Sequence, residues 1–258
     1  SNEVWNWGFP QASYANIRGR ELWPDEGSAW VQYMAGRTDR MCGTWKEAFE
    51  GQEQRLRCLI SPQTGWRDLA ETVLECPAWR DTYPAEGRCY DNVDAINITG
   101  YFSGCLQRNP EVVRSWLTRG REEALDLAFD QLLEGGLMGE ECQDNLANTI
   151  RAYSFFQNLA SERQLELYVY ESGTHFDYGG DDSDDIGSFL VELTRDPRMY
   201  EAYLRNFEGF MAAGGNTMNV WGWLAPNDMW ANADSVSDRS HPKYRAILDF
   251  VRQTESAD

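Results

Sequence analysis

Only two histidines, His175 and His241, occur in 258 residues, and none of the six cysteines falls in a Cys-x-x-Cys pair. A zinc centre is therefore disfavoured, because it needs a close set of nitrogen and sulfur ligands. No apolar run is long enough to span a bilayer, which takes about 20 residues of helix. No signal peptide is visible at the start of the sequence. Basic side chains are scarce: 23 Lys and Arg stand against 42 Asp and Glu, a formal net charge of −19. Such a surface repels phosphate backbones and anionic bilayers, so neither nucleic acid nor a membrane is the expected partner. No glycine-rich phosphate loop follows any predicted strand, and the lone Gly100 and Gly173 do not make one, which argues against a nucleotide-binding sheet. No repeat, low-complexity stretch or Pro/Gly/Ser linker divides the chain, so residues 1–258 read as a single domain.

What is plentiful points elsewhere. Hydrophobic residues make up 42% of the chain, enough to build a substantial core. Aromatics reach 13%, with 11 Trp and 12 Tyr. Large α/β cores use Trp too, but flat aromatic faces with polar edges are also the usual lining of sugar-binding sites. Six dispersed cysteines, Cys42, Cys58, Cys76, Cys89, Cys105 and Cys142, suit disulfides and an oxidising compartment, extracellular or periplasmic. The preferred pairs are local: Cys76 with Cys89 across a Pro-bearing loop, and Cys105 with Cys142 across a longer excursion. Free buried thiols in a cytosolic protein are the alternative.

Short apolar runs alternate with helical stretches. Strands are predicted over Arg55–Ile60, ended by Ser61-Pro62, over Ala95–Thr99, ended by Gly100, over Leu165–Tyr170, and over Thr217–Leu224. All are rich in aliphatic or aromatic residues and bounded by breakers. Helices are predicted over Ser28–Phe49, Trp66–Leu74, Pro110–Leu133, Asn148–Arg163 and Asp196–Met211, and from His241-Pro242 to about Gln253, on apolar spacing and first-turn prolines. Strands separated by helices imply parallel pairing, in an open sheet or in half a barrel.

Parallel α/β folds carry their chemistry at the carboxyl ends of the strands. The third predicted strand leads into Tyr170-Glu171-Ser172-Gly173-Thr174-His175. A carboxylate at the tip of a buried strand is costly unless it is hydrogen-bonded or functional; a solvated loop Glu is the plain alternative. At the start stands Ser1-Asn2-Glu3-Val4-Trp5-Asn6-Trp7, where Glu3 alone is unremarkable. Asp181-Asp182-Ser183-Asp184-Asp185 clusters carboxylates but lacks calcium-loop spacing, so a solvated charge run is expected there. Asn97-Ile98-Thr99 is an N-glycosylation sequon inside a predicted strand, where a glycan has no room.

Taken together, Asn2-Glu3-Val4-Trp5-Asn6 and Tyr168-Val169-Tyr170-Glu171-Ser172-Gly173-Thr174-His175 resemble the two carboxylate motifs of glycoside hydrolase clan A. In that clan an Asn-Glu pair ends strand four of a (β/α)8 TIM barrel and supplies the acid/base, and a Glu ending strand seven supplies the nucleophile. The order is similar too: two predicted strands lie between Glu3 and Glu171, and one follows. Ala95–Phe102 resembles strand six, Asn219-Val220-Trp221-Gly222-Trp223 strand eight, and His241-Pro242-Lys243-Tyr244-Arg245 opens the last helix. The resemblance implies a retaining glycosidase, whose two carboxyl groups stand about 5–5.5 Å apart with separated pKa values. Glu171 would be the nucleophile and Glu3 the acid/base. Asn2 would bond a sugar hydroxyl, Tyr101 would contact Glu171 and help keep it ionised, and Trp221 or Trp223 would floor the sugar subsite. Strand parity puts both Trp on one face with Gly222 pointing away, and Trp223 is favoured as nearer the carboxyl end. His175 and Gln63 are rim candidates that could equally be structural hydrogen-bonders. The chemistry needs no metal and no cofactor.

The resemblance also implies an α/β chain that supplies only the second half of a (β/α)8 barrel. Strands one to three and most of strand four would be missing, or would come from a longer precursor or a companion chain, because an open half-barrel exposes strand edges and an apolar face. The expected function is a secreted retaining glycosidase acting on a polysaccharide or glycoconjugate. The alternative is a non-catalytic carbohydrate-binding or extracellular structural subunit on the same fold.

Overall fold

The computed structural model describes residues 3–180 and 184–255. In chain order its elements are helices α1 (Pro10–Leu22) and α2 (Ala29–Ala48), strand β1 (Leu59–Ile60), helices α3 (Ala70–Glu75) and α4 (Pro77–Thr82), and strand β2 (Ala95–Phe102). Helices α5 (Pro110–Leu117), α6 (Arg121–Leu133) and α7 (Leu146–Ser161) precede strand β3 (Glu166–Thr174). Helices α8 (Asp185–Arg195) and α9 (Arg198–Ala213), strand β4 (Thr217–Met218) and helix α10 (Pro242–Glu255) complete them. The strands form one sheet in the order β1-β2-β3-β4. Leu59 and Ile60 pair in parallel with Ala95 and Ile96. Between β2 and β3 the registration also climbs in both strands: Glu166 N donates to Asp94 O at 3.0 Å, and His175 N to Phe102 O at 3.1 Å. Helices separate every pair of consecutive strands, the arrangement parallel pairing requires. The fold is thus α/β with a four-stranded parallel sheet.

Several boundaries differ from the sequence reading, each for a local reason. The strand expected over Arg55–Ile60 shrinks to Leu59–Ile60, and Glu53–Arg55 is a single 3-10 turn. The Asp94 carboxylate accepts Cys58 N at 2.7 Å, so ladder pairing starts only after that residue. The helix expected over Pro110–Leu133 is two helices, α5 closing at Leu117 and α6 opening after Gly120. Trp66–Leu74 is a 3-10 turn, Arg67–Leu69, followed by α3. Asp196 does not start α9, which begins at Arg198 with Pro197 before it; the Asp196 carboxylate accepts Arg198 N at 2.9 Å. Helices α1, α4 and α8 carry no counterpart in the sequence reading.

The chain divides into two compact units, residues 1–99 with 155–169 and residues 100–154 with 170–258. In the first unit, α1 buries only Ala12, Ala15 and Gly19. These small residues let its backbone approach α2 closely: a Cβ on Gly19 would lie 2.5 Å from Ala29 O. The indole of Trp79, 2% exposed, lies against Gly36 of α2. Cys76 and Cys89 form a disulfide, while Cys42 and Cys58 are buried thiols. Burial raises the Cys42 thiol pKa, and the adjacent Cys58 adds to the rise. Asn97 of the sequon is 4% exposed within β2, which leaves no room for a glycan.

The second unit holds an apolar cluster in which Phe102, Leu106, Phe129, Phe176, Phe189, Leu190 and Tyr203 are all nearly inaccessible. Each such side chain contributes about 1.5–3 kcal/mol through burial. A second disulfide joins Cys105 to Cys142. Both disulfides suit an oxidising compartment. Among the described residues no helix is long and apolar enough to cross a membrane.

Candidate functional site

Two strand ends in the second unit create the site. The end of β2 is fixed by a buried polar chain. Tyr153 Oη donates to Asn206 Oδ1 at 2.7 Å, Asn206 Nδ2 donates to Gly100 O at 3.2 Å, and Thr149 Oγ1 donates to Tyr101 O at 2.9 Å. Satisfied networks of this kind hold one arrangement, because an unpaired member would be costly at this depth. The end of β3 is fixed differently. Gly173 adopts φ +117°, and a Cβ there would meet Tyr203 Oη at 2.7 Å. Glycine thus admits the hydroxyl, which accepts Thr174 N at 3.1 Å. Desolvation raises the pKa of buried Tyr203, which keeps it the neutral phenol. This local tie carries β3 past Tyr170 to Thr174, so Glu171 lies inside the strand rather than just beyond it.

On this frame the Tyr101 hydroxyl donates to Glu171 Oε2 at 2.9 Å. Both residues are half-buried. The His175 ring packs on Tyr101 with centroids 4.9 Å apart and meets Trp230 edge to face at 5.0 Å. Trp230 in turn stacks on Trp223 at 6.2 Å with only 26° between the planes. Asp228 fixes that stack: its carboxylate accepts Trp223 Nε1 at 3.0 Å and Trp230 N at 2.7 Å. The result is a carboxylate beside a continuous aromatic wall, with polar groups at its edges. Such a surface can take the apolar face of a ring while holding a carboxylate near it.

The expected strand over Thr217–Leu224 ends at Met218. Beyond it the backbone pairs with a returning loop: Asn232 N donates to Trp223 O at 3.0 Å, and Leu224 bridges to Ala233. Strand parity therefore does not govern Trp221 and Trp223. Both are exposed, at 45% and 43%, but their planes stand at 83° to each other. Trp223 belongs to the aromatic wall, and Trp221 meets it edge-on. Trp230 and Asp228 were not read from the sequence. They lie in a loop without periodicity, and their only signal is an aromatic and an acid in the stretch after β4.

The other predicted residues belong to the first unit. Glu3 is half-buried and accepts Asn6 Nδ2 at 3.0 Å in the turn before α1. Asn2 lies outside the described residues. Gln63 Oε1 accepts Trp66 N at 2.9 Å and also Gly65 N, which gives Gln63 a turn-forming role. Residues 181–183 of the acidic run are outside the described residues. Asp184 caps α8, accepting Ile186 N at 2.9 Å and Gly187 N at 2.8 Å. The Tyr178 hydroxyl, which bonds the same carboxylate, is the main reason the Asp184 pKa is lowered. No group of three or more His, Cys, Asp or Glu that could hold a metal ion occurs among the described residues.

Compared with protein-family models, with curated proteins and with solved structures, the chain matches none.

Proposed function

We propose that the protein is a secreted retaining glycoside hydrolase of the clan A type, acting on a polysaccharide or glycoconjugate. The observation that carries this reading is the Tyr101–Glu171 hydrogen bond of 2.9 Å beside the His175, Trp230 and Trp223 wall. In this reading the parallel strands β1 to β4 are strands five to eight of a (β/α)8 barrel, and the other strands come from a longer chain or a companion.

The Glu171 carboxylate attacks the anomeric carbon and forms a glycosyl ester as the bond to the leaving oxygen breaks. Glu3 takes the acid/base role by resemblance: it protonates the leaving oxygen, then removes a proton from the water that hydrolyses the ester. That second step returns Glu171 as a carboxylate. Tyr101 donates to the nucleophile and orients it. The aromatic wall stacks on the sugar and excludes water from the reacting face.

Reducing-sugar release from a panel of soluble polysaccharides tests the reading. Glu171→Gln is isosteric and is expected to abolish release without changing the melting temperature; Glu3→Gln is expected to slow it severely. Undiminished release by Glu171→Gln would remove Glu171 from the chemistry. Intact mass under native and denaturing conditions tests the barrel assignment, since a bound companion or a longer chain is expected and a lone species of 29.6 kDa argues against it.

A further inference from the structure

Three tryptophans far apart in sequence converge at the surface of the first unit. Trp7 and Trp30 have ring centroids 5.5 Å apart, and Trp30 and Trp66 are 6.0 Å apart. Trp7 is 54% exposed and Trp66 44%, with Trp30 half-buried between them. Leaving two indoles this open sacrifices the burial that places most Trp inside proteins, so the arrangement invites a contact that covers the rings.

Each ring sits on a fixed support. Trp7 follows the turn in which Glu3 accepts Asn6 Nδ2 and Asn6 Oδ1 accepts Gly8 N at 3.1 Å. Trp30 lies in the first turn of α2. Trp66 ends the Gln63 turn, which is tied to β2 because Thr99 N donates to Thr64 Oγ1 at 2.9 Å. The planes are inclined by 49° and 87°, so the rings form a stepped ridge rather than a flat patch. The amides of Asn6 and Gln63 are taken up by the two turns that hold Trp7 and Trp66.

We infer that the Trp7–Trp30–Trp66 ridge is a carbohydrate-contacting subsite for an uncharged hexopyranosyl chain. The proposal rests on the carbohydrate reading above and adds to it aromatic residues of the first unit. Stepped indole faces suit successive pyranose rings, whose apolar faces turn along a chain. The net charge of −19 disfavours uronic-acid and sulfated polymers, which leaves neutral chains as the occupant. The core of the ridge is three indoles, whose flat faces and N–H edges suit a sugar ring.

Affinity electrophoresis of the full chain tests this, in gels holding mixed-linkage β-glucan, xyloglucan or galactomannan, with polygalacturonate and alginate as anionic controls. The wild type is expected to be retarded by at least one neutral polymer and by neither polyuronate. Trp7→Ala/Trp66→Ala is expected to weaken that binding at least about 10-fold through loss of two stacking faces. Trp7→Tyr/Trp66→Tyr, which keeps aromatic faces, is expected to retain most of it. If the double alanine variant melts early, Trp66→Ala alone replaces it. Glu171→Gln is expected to be retarded like the wild type.

Retardation by no neutral polymer, equal retardation of the alanine variant, or a change only from dimer to monomer in sedimentation would each overturn the proposal. The two readings fail separately. Hydrolysis with unaltered binding in the alanine variant removes the ridge and keeps the enzyme, whereas Trp-dependent binding without hydrolysis removes the enzyme and keeps the ridge.

Discussion

The Tyr101 hydroxyl and Glu171 Oε2 meet at 2.9 Å from positions 70 residues apart in the chain. Their approach depends on parallel strands in register, and on the buried Asn206, Thr149 and Tyr203 bonds that fix the two strand ends.

Tyr101→Phe removes the donor to the Glu171 carboxylate and keeps the ring that packs on His175. Hydrogen bonds to charged groups contribute about 1.5–3 kcal/mol, so kcat/KM for glycoside hydrolysis is expected to fall roughly 10- to 100-fold. The melting temperature is expected to stay within a degree or two, because the hydroxyl is only half-buried. Steady-state kinetics beside thermal melting check both halves; an unchanged kcat/KM would mean the bond does not serve the reaction.

Gly36→Ala reverses a familiar sign. In the middle of α2, alanine should gain about 1 kcal/mol over glycine from helix propensity. A Cβ at this position, however, lies 2.0–2.5 Å from ring atoms of buried Trp79. Overpacking of a tight core costs typically about 1–3 kcal/mol, and at these distances the cost should prevail. Denaturant unfolding is expected to give a lower midpoint for the variant; a higher one would mean that the Trp79 ring moves freely.

His241 gives the protein an acid-sensitive step. The ring is 4% exposed, and both of its nitrogens are buried without a hydrogen-bond partner. Desolvation, then the charges of Lys243 and Arg195, lower its pKa to about 4, against opposing pulls from Asp234 and Asp238. The unfolded chain binds this proton below about 6.5, whereas the folded chain binds it only near 4. Between those values the unfolded state holds more protons, so stability falls as pH falls from about 6.5 to 4 and gains nothing from His241 above that range. His241→Leu forfeits no hydrogen bond and is expected to melt a few degrees higher relative to wild type at pH 4.5 than at pH 7.5. Parallel melting curves across that range would sink the assignment.

Lys243 acts in the same sense at higher pH. It is fully buried and donates to Met229 O at 2.8 Å. Desolvation lowers its pKa to about 7. Stability is therefore expected to decline as pH falls from about 10.5 towards 7. Lys243→Met should flatten that part of the profile, while losing some stability overall through the unpaired Met229 carbonyl. Chemical denaturation at pH 7, 8.5 and 10 distinguishes a flattened profile from one that keeps its slope.

The cysteines divide into two classes. Cys42 and Cys58 are buried thiols, with Cys42 resistant to ionisation, while the other four cysteines are paired. A thiol reagent is expected to find no reactive group in the native protein and two after unfolding without reductant. Cys105→Ser/Cys142→Ser is expected to cost about 2–5 kcal/mol, because the bridge closes a long loop in the unfolded chain. Reaction of the native protein with two equivalents would contradict the burial of this pair.

The sequence by itself determined the α/β class and the alternation of strands with helices, and it favoured both disulfide pairs. The class and the alternation follow from local information: apolar runs between breakers and amphipathic spacing. The resemblance to clan A, rather than any local pattern, pointed to Tyr101, Glu171, His175 and Trp223 as neighbours. Other features were set by partners distant in the chain. Helix α1 buries alanines and a glycine and shows no apolar stripe, so its signal appears only against α2. Strand β3 passes Tyr170 because the Tyr203 hydroxyl meets Gly173 and Thr174. Strand β4 stops at Met218, after which the backbone pairs with residues near Asn232, bringing Trp230 and Asp228 to Trp223. No period or local propensity encodes a loop that returns to cover its own strand, because its stability comes from side chains that meet only once the unit has folded.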